Sequence, residues 1–470
     1  MSDSHWFSKL GECALLQEEE DIVRTRQPRS AVFLLVAALG IFAVLMGSCS
    51  SNKEEAGGGA TPLPGDTTGV TDTSIKIGSL LPITGVAAQW GVPLGQGMKA
   101  YFDYINEQGG IYGRKIELII GDSQYAGPIA TEAAKQLIDQ QQVFAFVGNL
   151  GTQVEGAVKQ MIDAKNIPDF DVLSGASEFI NPVQKNRFTA MVDYTTEGKI
   201  FATYIDKTYP GKKLGILAQN DDYGKEGEAG TKQGLKDLGS DIETTTEYYD
   251  ATMTDVTAQM QRLKSDNVDV IMFWGGPLQA ANMMKTARET LSWDVPMLIN
   301  EANAGATLGR LSGMNNIEGV VSTAITTVMD VGSDLPGVVS RREIFEKYAP
   351  SGATWDSMAY AGISTAEGFV GFLRQAGKDL TRESLIAAGE SVCKVTSDVS
   401  MPGVASSTSP TDHEFIQAEV MVKASISSKD PTLVDWVPFG DPIDFESTKD
   451  CVTPTPPPGA ADQPGVPTPK

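Results

Sequence analysis

Residues 75–120, IKIGSLLPITGVAAQWGVPLGQGMKAYFDYINEQGGIYGRKIELII, place an amphipathic stretch between two short apolar, Ile-rich runs. Residues 75–81 predict a strand, residues 95–108 a helix and residues 115–120 a second strand. A strand followed by a helix and another strand favours a parallel sheet, because the helix returns the chain to the same edge. This unit predicts an α/β fold.

The same alternation continues along the chain and restarts once. Strands are predicted at 143–147 and 167–173, and then at 214–218, 242–248, 268–274 and 296–299, with helical stretches between them. Helices at 338–348, 355–375 and 381–390 come late and need a sheet to cover, for which the first module is the candidate. We therefore expect two doubly wound lobes with parallel sheets.

Composition narrows the possible functions. The 470 residues carry 37 Lys and Arg against 60 Asp and Glu, a net charge of −23, which repels nucleic acid. Only two histidines and four cysteines are present, so most metal sites and histidine-dependent catalytic sites lack parts. Composition therefore disfavours an enzyme, and we expect no metal site, cofactor or catalytic residues.

The N-terminus has the order of an export signal. Three arginines precede the apolar run 31–46, which is shorter than the ~20 residues of a membrane-spanning helix, and Gly47-Ser48-Cys49 follows. Residues 1–48 are predicted as a signal peptide. The segment before Cys49 resembles a bacterial lipoprotein processing box, which implies a lipid on Cys49. An uncleaved signal anchor is the alternative, and both place the domain outside the cytoplasm.

Flexible segments are predicted at both ends of the mature chain. Residues 49–73 are rich in Gly, Ser and Thr and predict a tether, and residues 452–470 contain seven prolines and predict an unfolded tail. After processing, Cys393 and Cys451 remain and predict one disulfide, which would stabilise the fold by about 4 kcal/mol; two free thiols are the alternative.

Two loops after predicted strands favour anion binding. Residues 148–152 (GNLGT) and 174–177 (SGAS) combine small residues with hydroxyl groups, and their amides would point at a carboxylate. The alternative is that these side chains only cap helices.

Several motifs together resemble the branched-chain amino acid binding proteins of ABC transporters. They include IKIGSLLPITGVAAQWG at 75–91, INEQGGIYGRKIEL at 105–118 and NDDYGKEG at 220–227, followed by TWDSMAYAGISTAEGFVGFLRQAG from residue 354. The resemblance implies a type I periplasmic binding protein with two lobes joined by a three-strand hinge. It places lobe one at 74–192 and 324–412, and lobe two at 193–323 and 413–451.

The resemblance also implies a ligand site. The residues it assigns to the ligand are Trp90 and Tyr223 as aromatic covers, Gly151, Thr152, Ala176 and Ser177 for the α-carboxylate, and Glu301 for the α-ammonium. Behind Trp274-Gly275-Gly276, Pro277 and Leu278 stand where the family often has a tyrosine pair, so a non-standard amino acid, an amide, a urea-like compound or an aromatic acid is possible. For Glu301 the alternative is a solvated loop acid, and for Trp90 and Tyr223 it is lobe packing.

The expected function is that of a receptor that delivers an amino acid or related carboxylate or amide to an ABC permease. Two alternatives stay open. Gly121-Asp122-Ser123 looks like the nucleophile block of GDS esterases, although His413 follows Asp412 directly and Pro410 stands where that family has its Asp. A sensory protein that presents its liganded form to a separate receptor is the other.

Overall fold

The computed structural model describes residues 65–326, 333–444, 451 and 453–464. The predicted signal peptide 1–48 and Cys49 lie outside the described residues. The first part of the chain contains β1 Ser74–Leu81, α1 Ala88–Glu107, β2 Lys115–Asp122, α2 Gly127–Lys135, β3 Ala145–Val147, α3 Thr152–Ala164, β4 Asp169–Val172 and β5 Arg187–Thr189. The second part contains α4 Tyr194–Thr208, β6 Leu214–Gln219, α5 Asp222–Asp237, β7 Thr244–Tyr249, α6 Thr257–Ser265, β8 Val270–Trp274, α7 Pro277–Lys285, β9 Met297–Ile299, α8 Ala306–Ser312, α9 Met314–Ile317 and β10 Val321–Ala324. The last part contains α10 Pro336–Tyr348, α11 Ser357–Ala376, α12 Arg382–Gly389, β11 Ala418–Ile426, β12 Val434–Pro438 and β13 Ile443–Asp444.

Two sheets organise the molecule. The first has the order β2-β1-β3-β4-β5 with every pairing parallel, and we call the surrounding unit lobe one. The second has the order β12-β11-β10-β9-β8-β6-β7 and forms lobe two. Its strands β6 to β10 pair in parallel, whereas β11 and β12 are antiparallel additions at one edge. The predicted fold class, two α/β lobes with parallel sheets, is confirmed.

The late helices belong to lobe one. Helix α11 packs along α1 so closely that a Cβ on Gly97 would lie 2.0 Å from the carbonyl oxygen of Ala359. Reciprocally, a Cβ on Gly362 would lie 2.0 Å from the carbonyl oxygen of Leu94. Glycine at both positions lets the two backbones approach, which brings one face of α11 to the interlobe opening. Helix α1 begins at Ala88, earlier than predicted. The prediction began later because Gly91, Pro93 and Gly95 weaken the helical pattern in the first turns.

The chain crosses between the lobes after β5, after β10 and before β11. The crossings lie side by side: Thr189 bridges Glu414, and Thr326 bridges Ser400. The strand ends, and the loops that follow them, therefore face each other across one cleft, where parallel sheets bind ligands.

Residues within both predicted flexible segments contact lobe one. Within the range 49–73, Asp66 pairs with Arg382 at 2.6 Å. Residues 453–464, part of the predicted tail 452–470, also contact lobe one. The Arg374 guanidinium donates to the carbonyl oxygen of Ala460 at 3.1 Å. Cys393 and Cys451 form the predicted disulfide, with their Cα atoms 5.2 Å apart. Among the described residues, none of the helices combines the length and the apolar composition needed to span a membrane.

Candidate functional site

A cavity of about 860 Å³ lies between the lobes and extends into lobe one beneath α11. Most of its lining surface is apolar. Residues at the interlobe end are Trp90, Tyr125, Leu150, Gly151, Leu173 and Met191 from lobe one, and Tyr194, Tyr223, Glu301 and Ala302 from lobe two. A concave, mostly apolar space with a few polar groups is the usual form of a small-molecule site.

Glu301 supplies the charge at the lobe-two wall. It begins a 3-10 turn directly after Asn300, at the carboxyl end of β9, and its backbone amide donates to the Glu197 carboxylate at 2.6 Å. Burial raises the pKa of Glu301 to about 7. A carboxyl group in this environment becomes fully ionised at neutral pH once a cation approaches it, as a ligand ammonium would.

Two more glutamates stand behind Glu301. Glu197 on α4 and Glu419 on β11 are both buried, and burial followed by the nearby carboxylates raises the pKa of Glu419 well above its usual value. Burial likewise raises the pKa of Glu197. In the described part of the chain, neither Lys nor Arg forms an ion pair with these three acids, so no protein cation compensates Glu301 when it ionises.

Hydroxyl groups from both lobes meet behind the cavity lining. Thr152, the first residue of α3, lies 2.7 Å from the Ser174 hydroxyl and 3.4 Å from the Tyr194 hydroxyl, measured from its own hydroxyl oxygen. Burial raises the pKa of Tyr194 to about 12, so its hydroxyl stays protonated and can donate. Thr152 itself lies directly behind Gly151 and Tyr194, which line the cavity.

Aromatic rings close the interlobe end. Trp90 packs edge-on against Tyr125 at 6.4 Å, and Tyr194 packs against Tyr223 at 4.7 Å between ring centres. The Tyr223 hydroxyl donates to the carbonyl oxygen of Gly275 and accepts from Asn300, so its ring is fixed. Rings in this arrangement can cover an aliphatic ligand and can also stabilise an ammonium group over their faces.

Gly151 is required by its backbone and by its neighbour. Its φ of 109° is one that other residues rarely adopt, and a Cβ there would lie 2.5 Å from the Tyr125 ring. Its amide donates to the carbonyl oxygen of Leu173 at 3.2 Å, so the contribution of Gly151 is space for the ring.

The structure places Ala176 and Ser177 outside this cavity. The Ser177 amide donates to both carboxylate oxygens of Glu226 on α5, at 3.0 and 3.2 Å, and Ala176 borders a separate small pocket with Glu226. A carboxylate does bind this loop, as its sequence predicts, but it belongs to the protein and joins the two lobes.

Trp274 and Pro277 also lie away from the cavity. Trp274 is fully buried in lobe two, where its indole N–H donates to Thr231 at 3.3 Å and its ring packs on Phe201. Pro277 occupies the first turn of α7, where its missing N–H costs nothing. Of the predicted residues, the cavity brings together Trp90, Gly151, Tyr223 and Glu301, with Thr152 just behind them.

Sequence reasoning missed Tyr125, Tyr194 and Asp171. Tyr194 follows Asp193, whose side chain caps α4 by accepting from the Thr196 amide at 3.0 Å. An Asp before a helical pattern at the first lobe crossing was the available signal for Tyr194. Asp171 lies inside a predicted apolar strand, where its charge was the signal.

A family model described as periplasmic binding protein matches residues 74–430, more than three quarters of the chain. The chain belongs to the periplasmic binding protein family. Members of this family are binding proteins and not enzymes, which agrees with the environment of the esterase candidates. Ser123 is fully buried beside the Tyr125 amide, and His413 is buried at the hinge, stacked on Phe188 with Nδ1 2.9 Å from the carbonyl oxygen of Arg187.

Relatives and solved structures agree on the family and the fold. A Leu/Ile/Val-binding protein homolog 8 from Brucella abortus is 27% identical over 208 residues, 42% of this chain and 51% of the relative, so the match spans about half the relative's length. A fatty acid ABC transporter substrate-binding protein from Thermomonospora curvata is 24% identical, with a TM-score of 0.70 over 86% of this chain and 97% of that chain. A branched-chain amino acid ABC transporter protein from Thermus thermophilus, with bound valine, is 20% identical, with a TM-score of 0.70 over 80% of this chain and 98% of that chain.

Proposed function

We propose that this protein is the solute-binding component of an ABC transporter and captures an amino acid, or a related small carboxylate or amide, in the interlobe cavity. The observation that carries the proposal is one cavity lined both by Glu301, an acid without a paired cation among the described residues, and by Tyr194, whose hydroxyl lies 3.4 Å from that of Thr152 behind the wall. A dipolar ligand satisfies both ends at once, because its ammonium pairs with the acid and its carboxylate accepts from the donors.

Capture would favour the closed arrangement of the lobes. The walls come from both sheets, so only a closed form gives the ligand all of its contacts, and the ligand shifts the population toward that form. Two protein contacts already span the opening: Glu226 reaches Ser177, and Arg310 reaches Asp356 at 3.1 Å. We infer that the closed form then docks on a permease.

Calorimetry and thermal-shift screening against amino acids, amides and small carboxylates test the proposal. A true ligand at about 100 times its Kd adds roughly 2.7 kcal/mol to the free energy of unfolding, which gives a clear shift in Tm. Small-angle scattering should then show a smaller radius of gyration when the ligand is present. The absence of any binder in these three chemical classes would contradict the proposal.

Anchoring through Cys49 is part of the same proposal. A lipid on Cys49 would keep the receptor beside a membrane permease. Cys49→Ala should abolish incorporation of a radiolabelled fatty acid and release the protein from the membrane fraction. Unchanged labelling would contradict the assignment.

A fatty acid is the second candidate ligand, favoured by the volume and apolar walls of the cavity. A cavity of about 150 Å³ holds benzene, and this one is several times larger. The similar protein from Thermomonospora curvata is named for fatty acids. Glu301→Gln distinguishes the two candidates. It should weaken the binding of an amino acid, whose ammonium loses its partner, and leave the binding of a fatty acid, which has no ammonium, unchanged.

A further inference from the structure

Asp171 is a buried acid that the interlobe site does not use. It lies on β4, deep in the part of the cavity that runs into lobe one, and it is 8% exposed. Its Oδ2 atom is buried without a hydrogen-bond partner among the described residues. Buried polar atoms are almost always paired, so an orphaned carboxyl oxygen facing a cavity indicates a missing donor.

A β-bulge directs this side chain into the cavity. The pairing of β4 with β5 shifts register between Asp169 and Val172, and Asp171 has a φ of 52°. In a regular strand Asp171 would share a face with Asp169, which lies 3.6 Å from the Arg187 guanidinium. Bulges of this kind commonly re-aim a side chain next to a binding site. Here the bulge separates one acid from the arginine that pairs with the other.

Helix α11 leaves room above Asp171. A Cβ built on Gly368 would lie 3.9 Å from Asp171 Oδ2, and one built on Gly371 would meet no atom within 4 Å. Both glycines line the cavity. The absence of side chains at these two positions keeps the space beside the carboxyl group open to a ligand.

The charged groups nearby are already paired. Arg341 also lines the cavity, but its guanidinium bonds the Glu367 carboxylate at 2.8 and 3.0 Å and Asp398 at 2.9 Å. Asp171 is therefore left without a cation in the described part of the cavity. Burial raises the pKa of Asp171 to about 7, so an approaching ammonium group would readily convert it to the charged form.

We propose that Asp171 binds the side-chain ammonium of a basic amino acid whose α-ammonium is held at Glu301. The inference rests on the proposed amino acid ligand and adds its class, a diamino carboxylic acid. Most of the cavity's lining surface is apolar and suits the methylene groups of such a side chain, while each ammonium pairs with one carboxylate.

Lysine and norleucine are the decisive probes, because they differ only in the side-chain amine. Titration calorimetry on the wild type should show lysine binding at least about tenfold more tightly than norleucine. Asp171→Asn should weaken lysine by about ten- to a hundredfold and leave norleucine within about threefold. Asp379→Asn, which removes one exposed acid from lobe one, is the matched control and should change neither affinity.

Equal affinity of the wild type for lysine and norleucine would overturn the inference and leave the amino acid proposal standing. Equal weakening of both ligands by Asp171→Asn would also overturn it, since that is the effect of a structural change. If neither lysine nor norleucine binds, 1,5-diaminopentane becomes the probe: binding that depends on Asp171 supports an ammonium site there, and no binding overturns the inference.

Discussion

Two clusters of buried acids in this molecule have opposite surroundings. In lobe one, Glu155 and Asp163 lie 2.9 and 2.8 Å from the guanidinium nitrogens of Arg187, and Asn149 donates to Asp169 at 3.1 Å. At the hinge, Glu197, Glu301 and Glu419 are packed together without a cation among the described residues. Arg187 is thus the counter-ion of the lobe-one acids, whereas the described residues place no cation beside the acids at the cavity.

The difference separates structural acids from candidate binding acids. A buried carboxylate that is ionised needs a partner in the folded state, and the Arg187 cluster has its own. A buried carboxyl without a partner costs stability, and that cost is offset when a cationic ligand arrives. The following experiments test this division, beginning with the largest expected effect.

Replacing the shared cation of the lobe-one cluster should have the largest effect on stability. Arg187→Met leaves Glu155 and Asp169 buried and uncompensated, and we expect the free energy of unfolding to fall by about 3 to 5 kcal/mol in urea denaturation. Lys99→Met removes an exposed partner of Asp103 and serves as the control, with an expected change under about 0.5 kcal/mol. Similar losses in the two variants would contradict the division.

Removing the charge at the cavity should act on binding and not on folding. Glu301→Gln should weaken an amino acid ligand by about 2 to 5 kcal/mol, measured by calorimetry, because the ligand ammonium loses a buried partner. Its free energy of unfolding should stay level or rise. Glu243→Gln, an exposed change in lobe two, is the control. Unaltered affinity in Glu301→Gln would remove this residue from the site.

The pH dependence of stability should carry the signature of Glu301. Its folded pKa of about 7 lies above the ordinary value of 4.5, so the folded state binds the proton more tightly than the unfolded state. Stability from this group is therefore full below about pH 4.5 and is lost as pH rises through about 7, by about 3 kcal/mol in total. Denaturation at pH 5 and pH 8 should show a smaller loss in Glu301→Gln than in the wild type, and equal losses would refute the assignment.

The smallest effect is expected at the contact that occupies the second predicted anion loop. Glu226→Gln keeps one acceptor for the Ser177 amide and should cost about 1 kcal/mol of stability by thermal unfolding. Ligand affinity should stay within about threefold, because Ser177 lies outside the cavity. A tenfold or greater loss of affinity would return this loop to the binding site.

The sequence predicted those features that depend on local pattern. The alternation of strands and helices was enough to predict two α/β lobes. The position of Glu301 after a predicted strand indicated an acid at the cleft. The two remaining cysteines likewise predicted the disulfide between Cys393 and Cys451. Each of these depends on residue type and order along the chain, which the sequence displays directly.

The parts that were missed depend on contacts between distant segments. Ser177 has the residues of an anion loop, but Glu226, 49 positions away, occupies its amide. Asp171 becomes a cavity residue only through a shift in register against β5, which no local pattern announces. Trp274 ends strand β8, near the edge where ligands bind, yet Gly227 and Thr231 of α5 enclose it in lobe two.

The disulfide gives the molecule a connection that the three hinge crossings do not supply. Asp444 ends β13 in the sheet of lobe two, whereas Cys451 is bonded to Cys393 beside α12 in lobe one. Seven peptide links join Asp444 to Cys451, and a fully extended chain of that length spans about 25 Å. However wide the lobes swing, these two points stay within that separation, so the covalent structure sets an upper limit to the opening through which a solute enters.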